Sequence, residues 1–135
     1  MKMRSGFSFI EIVFAVAIVG VMLAVLVPNV VGRFNQSRID ATKASLRAVK
    51  SAIDMFNADT STYPNELNDL VERPTDERIA AKWASPYLEK LSRDSWDNEL
   101  QYERTSQGAE HPYELYSFGP HGESGADEER LSVWS

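Results

Sequence analysis

The chain has 135 residues, no cysteine, and 14 basic against 20 acidic side chains, a formal net charge of −6. Disulfides, zinc–thiolate sites and cysteine nucleophiles are therefore excluded. Residues 32–135 hold 12 of the basic and 19 of the acidic residues, which gives this part a net charge of −7. No nucleic-acid partner is predicted, because binding to phosphates requires clustered lysine and arginine.

A long apolar run lies near the N-terminus. The 21 residues from Phe7 to Val27 contain one charged side chain, Glu11. A helix of this length is about 30 Å long, which matches the hydrocarbon core of a bilayer. The residues before the run include Lys2 and Arg4 but no acid. This basic flank predicts that the N-terminus stays in the cytoplasm and that the C-terminal part is exported.

Glu11 is unusual in this apolar run, because placing a carboxylate at the centre of a bilayer costs about 2.5–3.5 kcal/mol. One interpretation is that Glu11 lies near the helix end and reaches the lipid headgroups. The flanking sequence GFSFIE, residues 6–11, favours a functional role. A basic leader ending in glycine, then phenylalanine and an apolar helix with glutamate at its fifth residue, resembles the signal of type IV pilins and pseudopilins.

That resemblance implies several processing and assembly steps. A prepilin peptidase would cut between Gly6 and Phe7 and methylate the new amino group of Phe7. Glu11 would then pair with the methylated amino group of an adjoining subunit. Pro28 stands where pilin-like subunits carry a proline, and a proline inside a helix kinks or locally unwinds it.

The pattern becomes amphipathic between Gly32 and Ala58. Apolar residues recur there at helical spacing on one face: Ile39, Leu46, Val49, Ile53 and Phe56. One helix is therefore predicted from about Phe7 to about Ala58, bent near Pro28, with this face packed on a globular domain.

Shorter elements follow the helix. Asn65 is predicted to cap a short helix over residues 66–73, whose inward positions are Leu67, Leu70 and Val71. Residues 75–95 are predicted to form a connection whose anchors to the core are Trp83, Tyr87, Leu88 and Leu91. Three strands are then predicted: Glu99–Arg104, Tyr113–Phe118 and Leu131–Trp134. The predicted fold class is α+β, with a small antiparallel sheet packed on the long helix and a C-terminal loop, and the resemblance implies that this is a type IV pilin-like fold.

The C-terminal half carries a narrower resemblance. KWASPYLEKLSRDSWDNELQYER (82–104) and YELYSFGPHGESG (113–125) are similar to segments of the major pseudopilin family of type II secretion systems. Four positions depart from that pattern, and these predict a less rigid loop with more hydrogen-bond donors. They are Ser92, Ser95 and Glu99 in place of proline, and Asp97 in place of glycine.

The resemblance implies a structural subunit that is processed by prepilin peptidase and polymerises into a pseudopilus, which helps to drive protein export through the outer membrane. Its partners would be copies of itself, minor pseudopilins, the peptidase and the inner-membrane assembly platform. Residues 1–6 would be the leader, 7–31 the transmembrane and assembly helix, and 32–135 a periplasmic domain. No phosphate-binding loop or nucleophile elbow is present in the sequence, so an enzyme is not predicted.

Two other functions are compatible with parts of the sequence. A type IV pilin or a competence-type pseudopilin would share the N-terminal signal, but the two C-terminal segments argue against it. A single-span, membrane-anchored binding protein that never polymerises would need none of three features: the Gly6–Phe7 junction, Glu11 and Pro28.

Calcium is the one cofactor that the resemblance implies, in the loop after the last long strand. The corresponding candidate ligands are the carbonyl of Phe118 and the side chains of Ser124, Asp127 and Glu129. However, His121 stands where the family has an aspartate, and imidazole is a poor ligand for an ion that prefers oxygen. Calcium binding is therefore predicted to be weak or absent. A solvated acidic tail, or a loop held by a salt bridge from Arg130, is the alternative.

Overall fold

The computed structural model of the chain describes residues 6–135. Residues 1–5, which hold the basic flank of the predicted leader, lie outside the described residues. The chain divides into two compact units, one extending to Ser37 and the other formed by Arg38–Ser135. Helix α1, Phe9–Thr60, contributes its first part to one unit and its second part to the other.

The first unit is the apolar part of α1. The helix begins two residues later than predicted, and helical geometry continues through Pro28, so no unwound segment occurs there in the single chain. The large apolar side chains from Phe7 to Phe34 are exposed. Among the described residues, α1 is the one helix that is long and apolar enough to cross a membrane, and none of its apolar window is buried. This unit has the properties of a transmembrane anchor.

The second unit has its own core, built on one face of α1. The predicted face is confirmed, with Leu46, Val49, Ile53 and Phe56 buried. Ile39 is only half-buried, and Thr42 and Ala52 extend the buried face instead. Four residues from outside α1 complete the core: Leu70, Leu100, Tyr113 and Leu115.

The sheet has three antiparallel strands, β1 (Gln101–Arg104), β2 (Tyr113–Ser117) and β3 (Leu131–Ser132), in the order β1-β2-β3. Their existence is confirmed, although each is shorter than predicted. Because β2 is central, its alternating residues Tyr113, Leu115 and Ser117 are buried. The α+β fold class is therefore confirmed.

The connection between α1 and the sheet departs from the prediction in three places. The helix over residues 66–73 is a single 3-10 turn, Leu67–Leu70, preceded by Glu66 rather than capped by Asn65. Asp69 explains the shift, because its Oδ2 accepts hydrogen bonds from the amides of Asn65 (2.9 Å) and Glu66 (3.3 Å). A short helix α2, Glu77–Ala80, interrupts the connection.

The predicted anchors of this connection are confirmed except for the last one. Trp83, Tyr87 and Leu88 pack against the core, whereas Leu91 is exposed. The backbone amides of Tyr87 and Leu88 both donate to the carbonyl of Leu70, at 2.8 and 3.1 Å. This attachment ends at Leu88, so Leu91 lies outside the buried layer.

Tyr113 buries a hydroxyl that has no hydrogen-bond partner among the described residues, although the side chain is 1% exposed. An unsatisfied buried polar group costs about 1–3 kcal/mol. Tyr113→Phe is therefore expected to raise the free energy of unfolding by about 1 kcal/mol. Tyr102→Phe is the matched control, because it removes a 2.6 Å hydrogen bond to the carbonyl of Pro64 and should lower stability. Urea unfolding of the full chain in detergent measures both, and a loss of stability in Tyr113→Phe would contradict the prediction.

Candidate functional site

The start of α1 is closed by two reciprocal hydrogen bonds between Ser8 and Glu11. The amide of Glu11 donates to Ser8 Oγ (3.3 Å), and the amide of Ser8 donates to Glu11 Oε2 (3.2 Å). This arrangement is a capping box, which satisfies backbone donors that a helix start leaves unpaired. The S-x-x-E spacing signals such a box, but the sequence-based prediction assigned Glu11 to assembly alone.

The predicted processing residues lie next to this box. Gly6 and Phe7 precede the helix, are not in regular secondary structure, and are exposed, Phe7 by 85%. The Gly6–Phe7 peptide bond is therefore accessible to another protein. Pro28 lies 17 residues beyond Glu11, about 25 Å along the helix, so it belongs to a separate place on the same helix.

The carboxylate of Glu11 lies in an apolar setting. It shares a shallow surface with Phe7, Ile12, Ala15 and Val16. In the described part of this unit no lysine or arginine forms an ion pair with it. The desolvation of an unpaired charge is unfavourable. A cation supplied by another molecule would therefore stabilise the carboxylate of Glu11.

In the second unit, Asp94 organises the turn that precedes β1. Its side chain is 6% exposed and accepts three hydrogen bonds. Ser117 Oγ donates to Oδ2 at 2.6 Å, while the amides of Trp96 and Asn98 donate to Oδ1 at 3.0 and 2.9 Å. Asp94 therefore joins the segment of residues 82–104 to the central strand.

Ser95, which replaces a family proline, ties the same turn to α1. Its amide donates to Thr42 Oγ1 (3.1 Å), its hydroxyl donates to the carbonyl of Arg38 (2.9 Å), and Thr42 Oγ1 donates to that hydroxyl (3.0 Å). A proline has no amide hydrogen to donate. The predicted additional donors are present, and here they attach the turn to the helix.

The C-terminal loop, residues 118–130, runs from the end of β2 to the start of β3 and contains two 3-10 turns, Gly122–Ser124 and Asp127–Glu129. His121 Nδ1 lies 2.7 Å from Glu129 Oε2, and Arg130 Nη2 lies 3.0 Å from Asp127 Oδ1. Ser124 Oγ donates to the carbonyl of His121 at 3.0 Å. Three of the four candidate calcium ligands thus have partners within the loop.

These residues do not fit a calcium site. Calcium takes six to eight oxygen ligands at about 2.3–2.6 Å. Among residues 6–135 no group of three or more histidine or acidic side chains is arranged to hold a metal ion. The Asp127 side chain is 84% exposed and pairs with Arg130, whereas Glu129 pairs with His121. The two carboxylates therefore have different partners.

Comparison with known proteins identifies the family. The model of the family "Type II secretion system (T2SS), protein G" matches residues 29–135. The chain belongs to this family. This match to a type II secretion family favours the major pseudopilin resemblance over a type IV pilin.

The relatives of this protein G family member match along nearly their whole length. The type II secretion system core protein G of Pseudomonas aeruginosa is 35% identical, with 98% of this chain and 94% of the relative covered. The corresponding protein of Escherichia coli strain K12 is 35% identical, with 97% and 91% covered. That of Vibrio cholerae is 30% identical, with 94% and 88% covered.

A solved structure supports the fold of this family member independently. The crystal structure of the major pseudopilin from the type 2 secretion system of enterohaemorrhagic Escherichia coli aligns with a TM-score of 0.66 and 24% sequence identity. The alignment covers 79% of this chain and 95% of that chain. The pilin-like α+β architecture is therefore shared.

Proposed function

We propose that this chain is a major pseudopilin that is cut by prepilin peptidase, polymerises into a periplasmic pseudopilus and helps to drive protein export through the outer membrane. The observation that carries the proposal is the exposed apolar first unit of α1, which begins with an accessible Gly6–Phe7 bond and a Glu11 that has no ion-pair partner among residues 6–135. In this proposal the precursor is a single-pass protein of the inner membrane with its second unit in the periplasm.

The same apolar surface of α1 is covered both in the membrane and in the proposed filament. In the membrane, lipid tails cover the side chains from Phe7 to Phe34. In a filament the helices of neighbouring copies cover them, because a helix that is apolar on all sides must be surrounded by apolar groups. The proposed partners are further copies of this chain, minor pseudopilins, the peptidase and the inner-membrane assembly platform.

Cleavage is the first step that an experiment can test. Gly6→Leu is expected to leave an unprocessed precursor in the inner membrane, because the resemblance implies that the peptidase accepts a small side chain before the cut. Gly32→Leu is the control, since Gly32 is exposed and an added side chain would meet nothing within 4 Å. Intact-mass measurement should find the wild type and the control without residues 1–6. Retention of Met1 in the mature wild-type protein would overturn the proposed processing.

A further inference from the structure

The C-terminal loop concentrates negative charge between two adjacent strands. Its carboxylates are Glu123, Asp127, Glu128 and Glu129. Its two ends are held close together, because Ser117 of β2 pairs with Leu131 of β3. Like charges brought together in this way repel one another, so a closed loop requires donors or cations that offset them.

His121 supplies the first of these contacts, across the loop. Its ring nitrogen Nδ1 lies 2.7 Å from Oε2 of Glu129, eight residues farther along the chain. The Glu129 carboxylate lies inside the loop, since a side-chain carbon added at Gly125 would stand 2.7 Å from the same Oε2 atom. The backbone carbonyl of Glu129 in turn packs against Gly119, whose φ of 86° favours glycine. Glu129 is therefore the residue around which the loop closes.

Arg130 supplies the second contact, at the edge of the loop. Its guanidinium lies 5.4 Å from the ring centroids of both Tyr116 and Phe118. These rings meet edge to face at 5.5 Å, so they form a defined surface for a cation. From this position Arg130 reaches Asp127 at 3.0 Å.

We infer that the N–H donors of His121 and Arg130 take the place of a divalent cation in this chain, so that the loop closes around Glu129 without calcium. An ion that bound these carboxylates would compete with His121 for Glu129 and with Arg130 for Asp127. This inference goes beyond the proposed function, because the chain could polymerise with or without an ion in the loop.

The first test is thermal unfolding of the full chain in detergent, followed by tryptophan fluorescence. The Tm is expected to be the same in excess chelator and in about 1 mM calcium, the weak end of the affinities of extracellular calcium modules. A ligand that binds the folded state raises the Tm. A reproducible increase in calcium would therefore overturn the inference.

The second test removes both donors with His121→Asp/Arg130→Ser. This variant leaves Asp127, Glu129 and the new carboxylate without a protein donor. Its Tm in chelator is expected to fall below that of the wild type, and calcium is expected to raise it again. An unchanged Tm in chelator would show that the two contacts do not hold the loop, and a lowered Tm that calcium leaves unchanged would show that they do not stand in for an ion. Either result overturns the inference.

Lys90→Asp is the matched control. With histidine counted as neutral it changes the formal charge by the same amount, at an exposed position outside the loop. Its Tm is expected to be the same in chelator and in calcium. If Lys90→Asp responds to calcium as strongly as the double variant, the ion acts on the net charge of the domain, and the inference fails.

Discussion

Glu11→Gln is expected to abolish pseudopilus formation while membrane insertion and cleavage remain normal. Glutamine keeps an oxygen that can accept the hydrogen bond from the Ser8 amide, so the helix start stays capped. It removes the negative charge that would attract the amino group of Phe7 on an adjoining copy. Electron microscopy of sheared pseudopili from cells that overproduce the variant measures the effect.

Ser8→Ala is the complementary variant, because it removes the hydroxyl of the capping box and keeps the charge of Glu11. Loss of an N-cap costs about 1 kcal/mol, which a helix inside a filament tolerates, so pseudopili are expected. Glu11→Ala removes the charge and the oxygen that accepts from the Ser8 amide, while the amide of residue 11 can still donate to Ser8 Oγ, and this variant should behave as Glu11→Gln does. Normal pseudopili from Glu11→Gln together with none from Ser8→Ala would show that Glu11 acts through the helix start instead.

The parts of the fold that depend on local periodicity could be predicted from the sequence. The apolar run after Gly6 and the face of Leu46, Val49, Ile53 and Phe56 repeat at the spacing of a helix. Their burial in the second unit follows from that spacing alone. The three strands were also predictable, because alternation and turn residues mark them.

Contacts between polar residues far apart in sequence could not be predicted in this way. Thr42 and Ser95 are 53 residues apart, and Asp94 and Ser117 are 23 apart. Each of these side chains has several local partners in an unfolded chain, and only tertiary packing selects the observed one. Leu91 is a local signal that failed. Its apolar side chain predicted burial, but Leu91 lies outside the buried layer and is exposed.

The candidate site also has residues that the sequence could name and contacts that it could not. Gly6, Phe7 and Glu11 belong to one short motif, so sequence alone could name them, and their functional roles remain predictions. In the loop, the departure of His121 from the family pattern was visible, as was the alternative of a salt bridge from Arg130. The pairing of His121 with Glu129 could not be predicted, because it depends on the close approach of Glu129 to Gly119 and Gly125, which leaves no room for a side chain at either glycine.

Asp94→Ala is expected to lower the free energy of unfolding by about 3–5 kcal/mol, since hydrogen bonds to a charged group contribute about 1.5–3 kcal/mol each and do not add fully. The variant leaves three donors without an acceptor: the hydroxyl of Ser117 and the amides of Trp96 and Asn98. The total free energy of unfolding of a small domain is about 5–15 kcal/mol, so Asp94→Ala is expected to remove a large share of the stability. Urea unfolding of the full chain in detergent measures it.

Asp97→Gly, in the same turn, is expected to change stability in the opposite direction, raising it by about 1 kcal/mol. Asp97 has a φ of 63°, a left-handed conformation that is unfavourable for a residue with a side chain and favourable for glycine. Its side chain contributes little, because it is 91% exposed and 3.9 Å from Arg93. The contact that Arg93 makes with the carbonyl of residue 97 at 2.8 Å survives the change. If both variants unfold at the wild-type urea concentration, the turn does not fold with the core, and Asp94 cannot be the residue that joins it to β2.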